Sequence, residues 1–385
     1  MMDNKTIYLD HAAATPIDER VLAVMQPYFS EKFFNPSSPY APAVEVRRDF
    51  ESAKQKLANL IGAKPGEIII TAGATESINL AFNGIAGHVI VPNIEHLAVI
   101  ECAKQHDNTM IKADKFGYVS ADSVKKAIKP NTELVSVALA NNELGTIQPI
   151  SDISAVIKSE RASRLEKGDK TPIYFHVDAS QGVGQLDINT ARLGVDMLTL
   201  NAGKIYGPKQ VGLLWTANTV KINPLIVGGG QERGLRSGTE NVAGTIGFAK
   251  ALKLVQEHRE YESKRLAELR DGLQNILTSA FPNAVISGHP KHRLSGHLHI
   301  SFPGIDGERL VFILENKGIL ISTGSACSAN KGLRSHVLTA ISLKPEVADG
   351  SIRLTLGHLS NPENIKKAGQ IIISEIQKEY NRVTK

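Results

Sequence analysis

The chain has 385 residues, of which 42% are hydrophobic and 22% charged, and its formal net charge is +5. This length allows two domains, and the composition excludes disordered and fibrous proteins. The sequence holds neither a long uncharged apolar run nor an apolar leader at its start, so we expect no membrane association. Its two cysteines cannot form a disulfide framework, which predicts the reducing cytoplasm.

The small positive charge favours an ordinary solvated surface, so we expect no direct nucleic acid partner. A basic face that docks an acidic protein or a tRNA stays open as the alternative.

Strand-like and helix-like segments alternate in the first two thirds of the chain, which predicts an α/β fold with a mainly parallel sheet. A dense charge cluster at 158–170 predicts an exposed loop. The strand-like runs are 67–71, 88–91, 134–139, 173–177, 197–200 and 212–215, and the helical patterns are 43–60, 75–85, 96–105 and 120–128.

The pattern changes after about residue 245. A long charged helical stretch, 245–281, predicts one kinked helix or two, and the final helix begins near Pro362. Between them we predict strands at 284–287, 297–302, near 320 and at 352–356, with a helix at 308–317. We therefore predict a large domain, 15–250, and a smaller α+β domain formed by 1–14 and 251–385.

Lys204 follows an apolar strand and precedes a Gly-Pro turn. A lysine at a strand end, in partly dry surroundings, can lose its proton and attack a carbonyl. Together with Asp178 and Cys327, it suggests pyridoxal phosphate (PLP) chemistry on a sulfur amino acid.

Asp178 ends the strand-like run that precedes Lys204. In an α/β sheet such a carboxylate points into the crevice where ligands bind, where it could pair with a pyridinium nitrogen. Gln181 could hydrogen-bond the ring hydroxyl. A helix cap is the alternative role for a strand-end aspartate.

Two further segments suggest cofactor contacts. Gly73 and Thr75 lie where a strand ends and a helix begins, and a helix N-terminus of this kind favours a phosphate. His96 opens another helix and could stack on the ring and carry protons. A cap and a structural histidine remain the alternatives.

Cys327 lies in a segment of small, polar and glycine residues, 322–335, which predicts an exposed loop. Nearby Lys331 and Arg334 would favour its thiolate, the nucleophilic form of cysteine. Cys102, by contrast, lies in an apolar helical pattern and is expected to serve packing.

Arg353 is a charge within an otherwise apolar strand, and a buried arginine needs an anionic partner such as a substrate carboxylate. Asn142, which follows another strand, could assist it. His297 and His299 would share one strand face, but no cysteine or carboxylate completes a metal set, so no metal is expected.

The set of motifs as a whole resembles the cysteine desulfurases of the NifS/IscS-like group, within the class V aminotransferase-like enzymes of PLP fold type I. This resemblance implies a large domain whose seven-stranded sheet is flanked by helices. The motifs that carry it are 8–16, 35–38, 73–77, 141–145, 176–181, 204–209, 228–234, 236–241 and 324–327.

The resemblance also implies roles for individual residues. Lys204 would hold PLP through an imine, Cys327 would accept the sulfur, and His96 would act in catalysis. The cofactor-binding residues would be Lys204, Asp178, Gln181, Ala74, Thr75, His96, Asn142, Asn201 and Thr239. The substrate would be held by Arg353, Asn142 and Asn35.

The implied reaction removes sulfur from L-cysteine, leaving L-alanine and a persulfide on Cys327. The persulfide would serve iron–sulfur cluster assembly or tRNA thiolation through an acceptor protein. Thr239 would reach the phosphate site of a neighbour, so the resemblance implies a homodimer.

The chain departs from the group in a few places. The histidine that usually precedes the imine-forming lysine and contacts the phosphate is Gly203 here, and the usual serine is Asn201. Tyr40 lies near the place of another histidine. The chain ends at Lys385 without the extension of many scaffold-binding members, so scaffold docking stays open.

Two alternatives remain at this stage. The chain could be a PLP-dependent selenocysteine lyase or another class V enzyme, whose turnover would not need Cys327. It could also be a non-catalytic binding partner, as the replacements at Asn201 and Gly203 suggest.

Overall fold

A computed structural model describes residues 6–324 and 334–383. Its strands are β1 (Ile7–Tyr8), β2 (Ile68–Thr71), β3 (His88–Pro92), β4 (Asn108–Ile111), β5 (Thr132–Ala138), β6 (Tyr174–Asp178), β7 (Met197–Asn201), β8 (Gly212–Thr216), β9 (Val285–Ser287), β10 (His297–Ser301), β11 (Ile319–Leu320) and β12 (Ser351–Thr355).

The helices connect these strands and cover the sheets. They are α1 (Glu19–Met25), α2 (Pro27–Ser30), α3 (Ala41–Ile61), α4 (Ala74–Phe82), α5 (Leu97–Ala103), α6 (Ala121–Ala127), α7 (Ile150–Glu166), α8 (Thr190–Leu193), α9 (Val242–Glu257), α10 (Arg259–Ala280), α11 (Gly307–Glu315), α12 (His336–Ala340), α13 (Pro345–Ala348) and α14 (Pro362–Val383). Short 3-10 turns lie at Pro65–Glu67, Ala202–Lys204 and Glu232–Gly234.

A seven-stranded sheet forms the centre of the molecule, in the order β2-β8-β7-β6-β5-β3-β4. Only β8 runs against its neighbours, pairing antiparallel with β2 and β7, whereas the other pairs are parallel. Strands such as β2 and β8 are buried along their whole length, as expected for a sheet with helices on both faces. The predicted mainly parallel, seven-stranded α/β sheet is confirmed.

The parallel order brings the carboxyl ends of β5, β6 and β7 to one edge of the sheet. Asp178 and Asn201 are the last residues of β6 and β7, and Asn141 follows shortly after β5. This edge is the general ligand-binding position of open α/β sheets, so the topology alone gathers polar side chains from distant parts of the sequence.

A smaller antiparallel sheet, β12-β10-β9, packs with α10, α11 and α14, while β1 pairs with β11. Its core contains Leu298, Ile352 and Ile372 together with Leu9 from the start of the chain. The division into domains at 15–250 stays a prediction.

The predicted loop at 158–170 is wrong over most of its length, because α7 continues to Glu166. Although this stretch is rich in charges, Arg164 is buried and donates to the carbonyls of Thr132 and Lys129 at 2.8 and 3.0 Å. Tertiary hydrogen bonds of this kind, which local composition does not reveal, stabilise the last, charged turn of α7.

The charged stretch after residue 245 forms two helices, α9 and α10, which meet at His258. Among the described residues, no helix is both long enough and apolar enough to cross a membrane.

Candidate active site

A cleft of about 330 Å³ opens at the carboxyl edge of the large sheet. Its lining includes the last residues of β6 and β7, residues at the start of α4 and α5, and Arg353 of β12 in the smaller sheet. The predicted residues that line it are Ala74, Thr75, His96, Asn142, Asp178, Gln181, Asn201, Lys204 and Arg353. The fold therefore brings together residues that lie up to 279 positions apart (353 − 74) in the sequence.

Lys204 ends the 3-10 turn that follows β7. The Asn201 side chain accepts a hydrogen bond from the Gly203 amide at 3.0 Å and so shapes this turn. The Lys204 ammonium donates to the carbonyls of Ala12 and Ala13 at 2.8 and 2.7 Å. A strand end, a turn and two carbonyls thus direct one amine into the cleft.

Asp178 is 8% exposed, and its Oδ1 accepts from the Ser180 amide at 2.9 Å. Gln181 donates to the Ala12 carbonyl at 3.1 Å. The Ser180 hydroxyl also faces this site, and it is buried with no hydrogen-bond partner among the described residues. A buried unpaired hydroxyl beside a carboxylate fits a ligand with polar ring substituents, as PLP has.

His96 caps α5, where its Nδ1 accepts from the Ala98 amide at 3.1 Å. Although the ring can be reached from the cleft, desolvation by the surrounding protein lowers its pKa, and Lys204 and His336 act in the same direction against Asp178. His96 is therefore neutral near pH 7, the form that can stack on a ring.

Gly73 takes a φ of 137° immediately before α4, a conformation that favours glycine. Ala74 and Thr75 lie in the first turn of this helix and line both the cleft and an adjoining cavity of about 540 Å³. Backbone amides and a hydroxyl at a helix N-terminus form a suitable cradle for a phosphate.

Arg353 lies in β12 and is 3% exposed. Its Nη1 donates to the carbonyls of Asn142 and Gly324 at 3.1 and 3.0 Å, and its Nη2 pairs with Asp10 at 2.6 Å. Nε has no partner among the described residues. The guanidinium edge formed by Nε and Nη2 therefore has hydrogen-bonding capacity left for a carboxylate.

The structure does not gather every predicted residue. Asn35 and Thr239 are both exposed, and neither is among the described residues that line the cleft. Cys327 lies outside the described residues, although Gly324 lines the cleft. Cys102 is buried, and burial together with Glu101 raises its pKa to about 11, which fits the packing role expected for it.

Glu95, Glu143 and His336, three titratable residues at or beside the cleft, were not predicted. Burial raises the pKa of Glu95 to about 8, against the hydrogen bond from the Ala138 amide, and the charge of Asp178 raises it further. The pKa of Glu143 is also raised by burial, and this carboxyl accepts from Ser335 at 2.6 Å. His336 lies 2.9 Å from the Glu95 carbonyl. The sequence offered one signal for these residues, which is the position of Glu143 next to Asn142.

In the parts of the chain that the structure describes, no group of three or more histidine, cysteine or acidic residues could hold a metal ion.

The model of the aminotransferase class-V family matches residues 7–367. The chain belongs to this family. Cysteine desulfurase IscS 1 of Archaeoglobus fulgidus is 40% identical over 384 residues, covering 96% of this chain and 97% of the relative. Cysteine desulfurase IscS of Dictyoglomus turgidum is also 40% identical, covering 97% of this chain and 95% of the relative.

Solved structures show the same fold. A NifS-like protein superposes with a TM-score of 0.88 at 33% identity and covers 97% of this chain and 99% of its own. SspA in complex with cysteine gives a TM-score of 0.77 at 35% identity, covering 91% of this chain and 99% of its own. The resemblance to NifS/IscS-like proteins and the PLP fold type are confirmed, as is PLP as the cofactor of this family.

Proposed function

We propose that the chain is a PLP-dependent cysteine desulfurase, which converts L-cysteine to L-alanine and leaves a persulfide on Cys327. The observation that carries this proposal is the meeting of Lys204, Asp178 and Arg353 in one cleft. Support also comes from relatives named cysteine desulfurases, which match at 40% identity over nearly the whole chain. SspA, a structural relative at 35% identity, was solved in complex with cysteine.

PLP, when bound, withdraws electrons from the substrate amino acid and so makes bonds near its α-carbon easier to break. Lys204 would hold the cofactor aldehyde, and its freed amine would carry the α-proton. The carbonyls of Ala12 and Ala13, 2.8 and 2.7 Å from Nζ, keep this amine at the cleft. Asp178 would pair with the pyridinium nitrogen, because it is a carboxylate held at the strand end by the Ser180 amide.

Arg353 would bind the substrate carboxylate through its Nε and Nη2 edge, with Asn142 beside it. Two-point binding fixes which way the amino acid lies in the cleft. The substrate sulfur is then presented in one direction, toward an incoming nucleophile.

Cys327 would supply that nucleophile as a thiolate. Its sulfur bonds to the substrate sulfur while the carbon–sulfur bond breaks, and the electron pair stays with the carbon fragment. That fragment takes up a proton to become L-alanine, and the second sulfur remains on the protein as a persulfide.

Comparing Cys327→Ser with Cys102→Ala tests this function. With L-cysteine, the wild type and Cys102→Ala should release alanine and form one persulfide per chain, whereas Cys327→Ser should do neither while still binding PLP. Mass spectrometry and an alanine assay measure the two products. Full turnover by Cys327→Ser would contradict the proposal, and a preference for selenocysteine in that variant would favour a lyase instead.

We also propose a homodimer that hands its sulfur to an acceptor protein of iron–sulfur assembly or tRNA thiolation. Ile226 and Val227 expose apolar side chains, Val227 at 81%, and Ile226 forms a bridge with Arg236 in the segment that leads to Thr239. A second copy covering this surface would remove apolar area from water and bring its own Thr239 to the phosphate end of the cleft.

A further inference from the structure

The cavity of about 540 Å³ that adjoins the cleft lies at the N-terminal end of α4. It shares Ala74, Thr75, Asn201 and Lys204 with the cleft, so one ligand can extend from one space into the other. Under the proposed function, this cavity receives the phosphate of the cofactor. A phosphate carries close to two negative charges near pH 7, and its burial requires compensating positive charge.

Two cationic side chains, Lys204 and Lys209, are found among the described residues that line this cavity. Lys204 holds the cofactor aldehyde in the proposed function, so its nitrogen is committed at the other end of the ligand. Glu76, the acidic residue of this wall, is bound by Arg236 at 2.9 Å and by the Ala72 amide at 2.8 Å. Of the two cationic side chains in the described lining, Lys209 is therefore the one that can bind the phosphate.

Gly203 leaves space in front of Lys209. A Cβ built at Gly203 would lie 3.4 Å from Asn201 Oδ1 and 3.7 Å from Lys209 Cγ, which are ordinary contact distances. The backbone φ of Gly203 also lies outside the range that disfavours other residues, so neither strain nor crowding at the first side-chain atom requires a glycine. Gly203 therefore leaves an open space beside the aliphatic part of the Lys209 side chain.

Lys209 is held next to this space. Its ammonium donates to the Thr15 carbonyl, and Thr15 is itself fixed by bonds from its amide and hydroxyl to the Gly203 carbonyl, both 3.2 Å long. An ammonium has three N–H donors, so Lys209 can keep the Thr15 carbonyl and still donate to a phosphate oxygen.

We propose that Lys209 is a phosphate-binding residue of the cofactor site and uses the space that Gly203 leaves open. This inference rests on the proposed function, because PLP is the ligand whose phosphate Lys209 binds.

The test compares PLP with pyridoxal, which has the same ring and aldehyde but no phosphate. Binding of each to apo-protein, prepared with hydroxylamine, is measured by absorbance for the wild type, Lys209→Met, Lys209→Arg and Lys126→Met. Lys126 is the matched control, because its side chain is 76% exposed on α6.

We expect Lys209→Met to weaken PLP binding about 10- to 100-fold, the loss typical of a hydrogen bond to a charged group, and to leave pyridoxal binding unchanged. Lys209→Arg should restore most of the PLP affinity, and Lys126→Met should change neither ligand. A second readout is the ³¹P chemical shift of bound PLP, which should move in Lys209→Met.

Unchanged PLP affinity in Lys209→Met, or equal losses for PLP and pyridoxal, would overturn the inference while leaving the proposed function intact. A wild type that binds neither ligand would instead contradict the proposed function, and the inference with it.

Discussion

Arg353 shows how a single buried charge can serve both structure and function. Three of its hydrogen bonds go to Asp10, Asn142 and Gly324, which belong to three separate parts of the chain. These bonds orient the guanidinium plane, while Nε has no hydrogen-bond partner among the described residues. The fold thus fixes the orientation of the Arg353 guanidinium before a substrate arrives, which reduces the entropy lost on binding.

Replacing Arg353 with lysine keeps the positive charge but removes the planar fork. We expect the KM for L-cysteine to rise about 10- to 100-fold, with a smaller change in kcat, because the lost contact is to the bound carboxylate. Steady-state kinetics measures the change, and retained PLP absorbance is the control for folding. An unchanged KM would show that the carboxylate binds elsewhere.

Glu95 predicts a specific dependence of stability on pH. Its folded-state pKa of about 8 lies above the ordinary value of 4.5, because the carboxyl is buried. The native protein therefore keeps a proton that the unfolded chain releases, and this contribution to stability is full below pH 4.5 and falls as the pH rises to about 8.

Glu95→Gln cannot titrate but can still accept from the Ala138 amide. We expect this variant to lose less thermal stability than the wild type when the pH is raised from about 5 to about 8. Melting temperatures at the two pH values measure the difference. Equal losses in both proteins would mean that Glu95 is already ionised at the lower pH.

At the scale of elements, the register of parallel strands sets the site. β6 and β7 pair so that Asp178 lies opposite Thr199, and the turn after β7 then carries Lys204. A slip of one residue would turn every side chain of a strand to the other face of the sheet. The position of Lys204 relative to Asp178 is therefore set by the pairing of β6 with β7 together with the turn that follows β7.

Helix α7 offers a test of the tertiary bonds that extend it. Arg164→Met would remove one donor from the Lys129 carbonyl, which keeps the Thr132 amide, and would remove the Arg164 bond to the Thr132 carbonyl. It would also leave Glu160 without its partner. We expect a loss of about 2–4 kcal/mol in the free energy of unfolding, since a buried side chain with several hydrogen bonds is removed. Denaturation followed by circular dichroism measures it.

Arg192→Met is the control for that variant. Arg192 pairs with Asp187, but its side chain is 68% exposed, and exposed pairs contribute about 0–1 kcal/mol. A loss in Arg164→Met no larger than that of Arg192→Met would show that helical propensity alone holds the charged turn.

Apolar runs and turn residues allowed most of the large sheet to be predicted from the sequence. Strand β4 was missed because Asn108–Ile111 is mostly half-buried and has no strong apolar pattern. In the site, Lys204 and Asp178 could be predicted because strand ends are visible in the sequence. Glu95 could not, since its importance comes from burial and from Ala138, 43 positions away.

At the scale of the whole molecule, the uncovered apolar residues bear on the proposed homodimer. Leu225 lines the cavity beside α4, and Val227, two residues further, is 81% exposed. An interface here would be continuous with the phosphate end of the site, so dimerisation and cofactor binding would support each other.

Val227→Glu places a charge on this surface. We expect a dimer for the wild type and a shift toward monomer for the variant, because an unpaired charge at an interface is costly. Light scattering after size exclusion measures the mass. Leu165→Glu is the matched control, at a leucine 73% exposed on α7, and should stay dimeric. A monomeric wild type, or a fully dimeric Val227→Glu, would place the interface elsewhere or exclude it.

The most direct test of the whole account is the covalent attachment of the cofactor. Borohydride reduction of the PLP-loaded protein should leave a phosphopyridoxyl group on Lys204, detected by mass spectrometry. Chymotrypsin cleaves after Tyr206 and so separates Lys204 from Lys209. A modified peptide carrying Lys204 is the predicted result, and a phosphopyridoxyl group on Lys209, on another lysine or on none would contradict the account.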